Sequence, residues 1–194
     1  MKNHKSRCFW TGADPLMIQY HDEEWGDPLH DDKKLFEYLI LDAFQAGLSW
    51  RTILYKRENF RKALANFDVQ KIAGYTDKDK QRLLADAGIV RNRLKIDATI
   101  NNANRFMEIQ QEFGSFDNYI WQFTNYQTLR NPLGVTRETM PTSTRESDAM
   151  SIDLKKKGFK FVGTTICYAF MQAIGMVDDH VVGCFKYKGS VYSS

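Results

Sequence analysis

Apolar residues recur at three- and four-residue spacing along almost the whole chain, and no stretch alternates convincingly with a period of two. That pattern restricts the fold to packed helices. Residues 33–47 set Leu35, Phe36, Leu39, Ile40, Ala43 and Phe44 on one broad apolar face, and residues 51–65 repeat the arrangement with Ile53, Leu54, Phe60 and Leu64. Thr76 with Asp79 three residues later resembles an N-cap, predicting a helix through Ala87. Gly88 breaks it, and a further helix is predicted from Ile89 to Met107. Helices are also predicted over 116–123 and over 147–157, the latter ended by Gly158, while the apolar run Phe161–Met176 reads as the central helix. Residues 124–140, which include Pro132 and Gly134, lack periodicity and read as a long surface loop. The expected fold class is all-α, one domain spanning 1–194 with a helical hairpin at about 77–107.

No apolar run approaches the ~20 residues that span a bilayer. The N-terminal MKNHKSRCFW is basic without the apolar core of a signal peptide, so a cytoplasmic protein with no membrane partner is expected. A net charge of +3 does not by itself announce a nucleic-acid binder. The basic residues cluster, however, at Arg91, Arg93 and Lys95 and again at Lys155, Lys156, Lys157 and Lys160. Each cluster reads either as a solvated helix face or as a surface for a polyanion.

Cys167 sits within the most apolar run and reads as a buried small hydrophobe. The other two cysteines lie near the chain ends. His180 and Cys184 are four residues apart, close enough to face one metal, and Cys8 with His21 would complete the two-thiolate, two-imidazole set of a structural zinc. Buried cysteines and surface histidines are the alternative. His4 and His30 stand in polar surroundings and read as ordinary exposed residues.

A glycine at the bend of the hairpin, Gly88, would allow a left-handed turn and close backbone approach, with Arg91 and Arg93 following it. The first amides of the second helix would then face outward, where phosphate oxygens accept from them. An ordinary helical hairpin with a solvated face has the same pattern. Asp42 lies at the margin of its helix's apolar arc, where a carboxylate needs a partner: a salt bridge, an N-cap, or a ligand. Trp10, Tyr20, Trp25 and Trp50 fill the surrounding sequence. Such rings usually build cores, but flat faces beside a carboxylate and a phenol are also what a pocket for an extruded base requires.

These segments resemble the bacterial 3-methyladenine DNA glycosylase I family over nearly the whole chain. The resemblance is carried by Cys8-Phe9-Trp10, Asp14-Pro15-Leu16, Tyr20-His21-Asp22, Glu24-Trp25-Gly26 and Gln45-Ala46-Gly47-Leu48-Ser49-Trp50. It continues through Lys56-Arg57-Glu58-Asn59, Asp86-Ala87-Gly88-Ile89, Pro141-Thr142-Ser143, Lys156 to Tyr168, and Asp179 to Cys184. The resemblance implies a helix-hairpin-helix glycosylase fold, with one structural Zn2+ on Cys8, His21, His180 and Cys184 joining the termini. It implies excision of 3-methyladenine from alkylated double-stranded DNA by a monomer, through base flipping and without strand cleavage. Asp42 and Tyr20 fall on the catalytic and base-reading positions, Trp50 on a stacking position with Trp10 and Trp25 nearby, and Gly47 and Leu48 on the plug that replaces the flipped nucleotide. Gly88, Arg91 and Arg93 fall on the hairpin that holds the backbone.

Two positions depart from the family pattern. Asp42 stands where glutamate is usual, its carboxylate set back by about 1.5 Å, a single bond length. Met17 stands where a tyrosine often lines the pocket. Both changes leave open a weakened relative that binds alkylated DNA, or one retuned to another alkylated purine. A helical zinc protein unrelated to DNA fits the motifs least.

Overall fold

The computed structural model describes residues 5–189, so His4 lies outside the described residues. Helix α1 (Pro15–Glu23) begins where Asp14 accepts from the amides of Leu16 and Met17 and Pro15 takes the first helical position. Helix α2 (Asp32–Gln45) is capped by Asp31, and α3 (Trp50–Ala63) by Ser49. The short α4 (Val69–Ala73) leads to α5 (Asp77–Ala85), where Thr76 and Asp79 form the expected capping box. Helices α6 (Arg93–Phe113), α7 (Phe116–Trp121), α8 (Arg145–Lys156) and α9 (Thr164–Ala173) follow.

Helix α2 occupies the centre. It packs against α3, α6, α7 and α9, and every residue from Leu35 to Phe44 is buried, Glu37 and Asp42 included. The aromatic cluster of Phe36, Phe106 and Phe116 anchors it, with ring centres 5.1 and 4.1 Å apart. The run expected as the central helix is shorter, covering 164–173, and shares the centre with α2.

The expected absence of strands is corrected. Leu129–Arg130 (β1) pairs in parallel with Val177–Asp178 (β2), and Val135 bridges to Val181. The segment 124–140 is thereby tied to the C-terminal region instead of running free over the surface.

The hairpin also differs from the expectation. Helix α6 starts at Arg93, not Ile89, because Asn92 caps it by accepting from the amide of Lys95 at 3.1 Å. Arg91 precedes the helix and Arg93 is its first residue. Gly88 does not take a left-handed conformation. Its lack of a side chain serves close approach: a Cβ there would lie 2.9 Å from Asp86 Oδ1 and 3.1 Å from Asn59 Cγ. The turn is pinned by α3, since Lys56 Nζ donates to the carbonyls of Ala87 and Gly88 at 3.2 and 3.1 Å. Lys95 is no part of a solvated basic face. It is buried, and its ammonium donates to the carbonyls of Phe44 and Ala46 at 2.8 and 2.6 Å, neutralising the C-terminal end of α2. Helix α6 and the segment leading to Gly47 are thus joined by one side chain.

Candidate active site

Tyr20 on α1, Asp42 on α2 and Trp50 at the start of α3 converge on a cavity of about 280 Å³, with Trp10 and Trp25 from the connecting segments. The Tyr20 and Trp50 rings lie 5.2 Å apart, and those of Trp10 and Trp25 4.9 Å apart. Met17 also lines the space. Against this apolar wall Asp42 is 1% exposed, and its Oδ2 has no hydrogen-bond partner. Neither a salt bridge nor an N-cap accounts for it among the described residues, and burial alone pushes its carboxyl well above the usual carboxylate range. The indole nitrogens of Trp10 and Trp50 are likewise buried without partners. The residues lining the cavity thus leave one carboxyl oxygen and two N–H donors without partners among the described residues.

Phe9, Gln45, Met140, Ala169 and Gln172 complete the lining; the sequence offers Phe9 and Gln45 only as motif residues and gives none of the five a place in a pocket. Gln45 is the last residue of α2. Gln172 and Ala169 belong to α9, and Met140 to the aperiodic segment, which offers no pattern to read.

A further group missed in the sequence is Glu24, at the C-terminal cap of α1. It accepts from Tyr38 of α2 at 2.5 Å and from both Nη atoms of Arg57 of α3 at 2.6 and 2.8 Å. One carboxylate thus joins the three helices that carry Tyr20, Asp42 and Trp50. The paired guanidinium and phenol outweigh its partial burial and hold it below the usual glutamate range.

Gly47 follows the end of α2 with φ +76°, a left-handed conformation that turns the chain. A Cβ there would meet nothing within 4 Å, and the next side chain, Leu48, is 41% exposed. An apolar residue is therefore exposed three positions beyond Gln45, which lines the cavity.

Next to Trp10 the segments around Cys8 and Cys184 meet, the Phe185 amide donating to the Ser6 carbonyl at 2.9 Å. The ligand atoms of Cys8, His21 and Cys184 lie within 4.8 Å of one another, all three residues buried. His180 does not belong to that trio, yet its Nε2 is buried without a partner, and its ring centre lies 5.1 Å from that of His21. His21 Nδ1 meets Asp22 Oδ1 at 2.8 Å, and His180 Nδ1 meets Asp178 Oδ1 at 2.8 Å. Each imidazole is thereby fixed with Nε2 turned away from its carboxylate, the arrangement that metal-bound histidines adopt. Asp178 is itself held by Arg130 of β1 at 3.1 Å, and Asp22 by Arg7. Burial pushes the Cys8 thiol up to about 12, a penalty that a bound divalent cation would offset. The donor chemistry, the orphaned imidazole nitrogen and the two carboxylate-fixed rings fit a tetrahedral zinc.

A family model described as methyladenine glycosylase matches residues 10–187. The chain is 52% identical to DNA-3-methyladenine glycosylase 1 of Escherichia coli (strain K12), an alignment covering 95% of this chain and 98% of that protein. The crystal structure of a 3-methyladenine DNA glycosylase I superposes with a TM-score of 0.91 at 49% identity, covering 94% of this chain and 100% of the other. The Staphylococcus aureus 3-methyladenine DNA glycosylase I, solved to explain 3-methyladenine recognition, superposes with a TM-score of 0.88 at 36% identity, covering 92% and 94%. With a model match over nearly its full length and a relative sharing half its residues, the chain belongs to the methyladenine glycosylase family.

Proposed function

We propose that this chain is a monofunctional DNA glycosylase that acts as a monomer on alkylated duplex DNA and hydrolyses the N-glycosidic bond of 3-methyladenine. The observation that carries this reading is the buried, unpartnered carboxyl of Asp42 inside an aromatic cavity of about 280 Å³, the size of a site for one base rather than a larger ligand.

Methylation at N3 leaves the adenine cationic, so it departs as a neutral base. The bond to the sugar breaks with its electron pair going to the base, and water adds to the oxocarbenium-like carbon, losing a proton to solvent. The protein's task is extraction and discrimination. A base flipped into the cavity stacks on Trp50, with Trp10 and Trp25 closing the walls, while Asp42 accepts from its edge and Tyr20 completes the recognition. A cation beside Asp42 offsets the desolvation of the ionised carboxylate, and neutral adenine does not, so the preference for the lesion is electrostatic. Among the described residues no lysine lines the cavity, which argues against a Schiff base and a strand-cutting step.

Gly88, Arg91 and Arg93 would bind the phosphate backbone at the hairpin, in the manner of helix-hairpin-helix proteins, while Gly47 and Leu48 fill the gap in the duplex. Cys8, His21, His180 and Cys184 would hold one structural Zn2+ that fastens the termini and takes no part in the reaction. Burying a leucine among bases contributes about 1.5–3 kcal/mol. Leu48→Ala is therefore expected to lower kcat/KM on duplex DNA by about tenfold or more, and to leave free 3-methyladenine binding and the melting temperature unchanged.

Incubating the protein with randomly methylated duplex DNA and separating the released purines tests the assignment. Free 3-methyladenine without strand breaks is the expected result. DNA binding with no purine released would leave a binding protein. Release of only a different alkylated purine would mark a retuned enzyme, with Asp42 and Met17 as the responsible positions.

A further inference from the structure

Among the described residues one cation without an ion-pair partner lies against the cavity's lining. Arg137 lies on an exposed turn between β1 and α8, its guanidinium carbon 5.3 Å from the centre of the Phe9 ring. Phe9 lines the cavity and is 41% exposed, so its ring faces both the cavity and the solvent. Met140, three residues after Arg137, lines the cavity as well.

The turn is fixed in place. The Thr136 amide donates to Thr139 Oγ1 at 2.9 Å, the Thr139 amide donates to Thr136 Oγ1 at 3.3 Å, and the two hydroxyls lie 3.1 Å apart. Just upstream, the Val182 amide donates to the Val135 carbonyl at 2.9 Å, anchoring the turn to the segment between His180 and Cys184. Arg51, which borders the adjoining groove beside Trp50, is engaged by Asp14 at 2.7 Å. Arg137 makes no ion pair among the described residues.

A guanidinium lying on an aromatic face keeps its edge N–H groups free, and that edge is the part that matches phosphate oxygens. A nucleotide whose base fills the cavity must leave its sugar and phosphates at the mouth. We propose that Arg137, seated on Phe9, is a phosphate clamp for the nucleotide whose base occupies the cavity. This rests on the reading of the cavity as a site for a base flipped from DNA. The clamp is separate from the hairpin and from Leu48, which lie on other elements. Because damaged and undamaged nucleotides carry the same phosphate, the clamp adds affinity and not lesion preference.

Affinity for a duplex holding a stable abasic-site analogue, measured over a salt series, tests the clamp. Arg137→Gln is expected to weaken binding about tenfold and to reduce the slope of log K against log salt by about one. Arg137→Lys should keep the slope and recover part of the affinity, having the charge without the stacked plane. Binding of free 3-methyladenine, read from the cavity tryptophans, should be equal in all three proteins. Unchanged affinity and slope in Arg137→Gln would overturn the clamp. So would weakened free-base binding, which would make Arg137 a prop for Phe9. A wild-type protein that releases no purine from methylated DNA defeats the functional reading, whatever Arg137→Gln does. Release by the wild type with Arg137→Gln indistinguishable from it in the salt series defeats the clamp alone.

Discussion

Asp42→Asn is expected to lower kcat/KM for 3-methyladenine release by about a hundredfold or more, the scale of losing one preorganised electrostatic contact in a water-poor site. The amide keeps the shape and removes the charge that opposes the cationic base. The same change should stabilise the free protein. Burial alone raises the folded-state carboxyl well above the ordinary aspartate value of 3.8. From that value upward the folded state therefore holds a proton that the unfolded chain has released, and folding stability falls as pH rises towards the folded pKa. Asparagine does not ionise and shows no such dependence. Wild type and Asp42→Asn should melt alike near pH 3, with the variant gaining a growing advantage above about pH 4 as the unfolded carboxyl ionises. Single-turnover excision and paired melting curves from pH 3 to 8 measure both effects. Full-rate excision by the variant would remove Asp42 from the reaction, and a wild type more stable at pH 7 would mean that its carboxylate has a partner.

Asp42 also shows how far the sequence could be read. Helical spacing locates α2 and its apolar face, but a helical projection puts Asp42 only at the margin of that face. The helix is buried almost all round because α3, α6, α7 and α9 enclose it. No one-dimensional pattern reports how many neighbours a helix will acquire. Element ends suffered from competing signals. The break at Gly88 points to a second hairpin helix from Ile89, whereas Asn92 caps it, and Gly88 serves close packing against Asn59. Lys95 counted as surface charge because lysine usually is, yet two carbonyls at the end of α2 hold it inside. The aromatic wall was legible from the density of rings near the N-terminus. Met140 and Gln172 were not, since one comes from an aperiodic segment and the other from the flank of an apolar helix. For the proposed metal site, cysteine and histidine spacing supplies one close pair. The carboxylates beside the histidines in sequence, Asp22 and Asp178, were a second signal, readable once their role in fixing the rings is recognised.

Stripping the metal is expected to have the largest effect on stability. Metal analysis of the purified protein should find about one zinc per chain. At a free concentration about a thousandfold above its dissociation constant, a ligand bound only by the folded state contributes about 4 kcal/mol. For a chain of this size that corresponds to roughly 8–16 °C in melting temperature, and Cys184→Ser or His180→Ala should lose most of it. The damage should reach the cavity. The Trp10 ring centre lies 5.3 Å from that of His21, and the Trp25 ring centre 4.7 Å from that of His180. Tyr20 adjoins His21 in sequence, so tryptophan fluorescence should shift when the metal leaves and recover when zinc is returned. Asp178→Asn separates a metal-centred effect from ordinary core damage. It keeps all four donors while loosening the His180 ring and the ion pair to Arg130, so it should weaken zinc affinity about 10–100-fold while leaving the stoichiometry at saturation unchanged. Asp179→Asn, next to it and bonded to Tyr168 and Gln172 instead, should destabilise the fold without altering zinc affinity. Equal zinc affinities in the two variants would mean that the carboxylate on His180 does not serve a metal, and a metal-free protein with an unaltered melting curve would remove the clasp altogether.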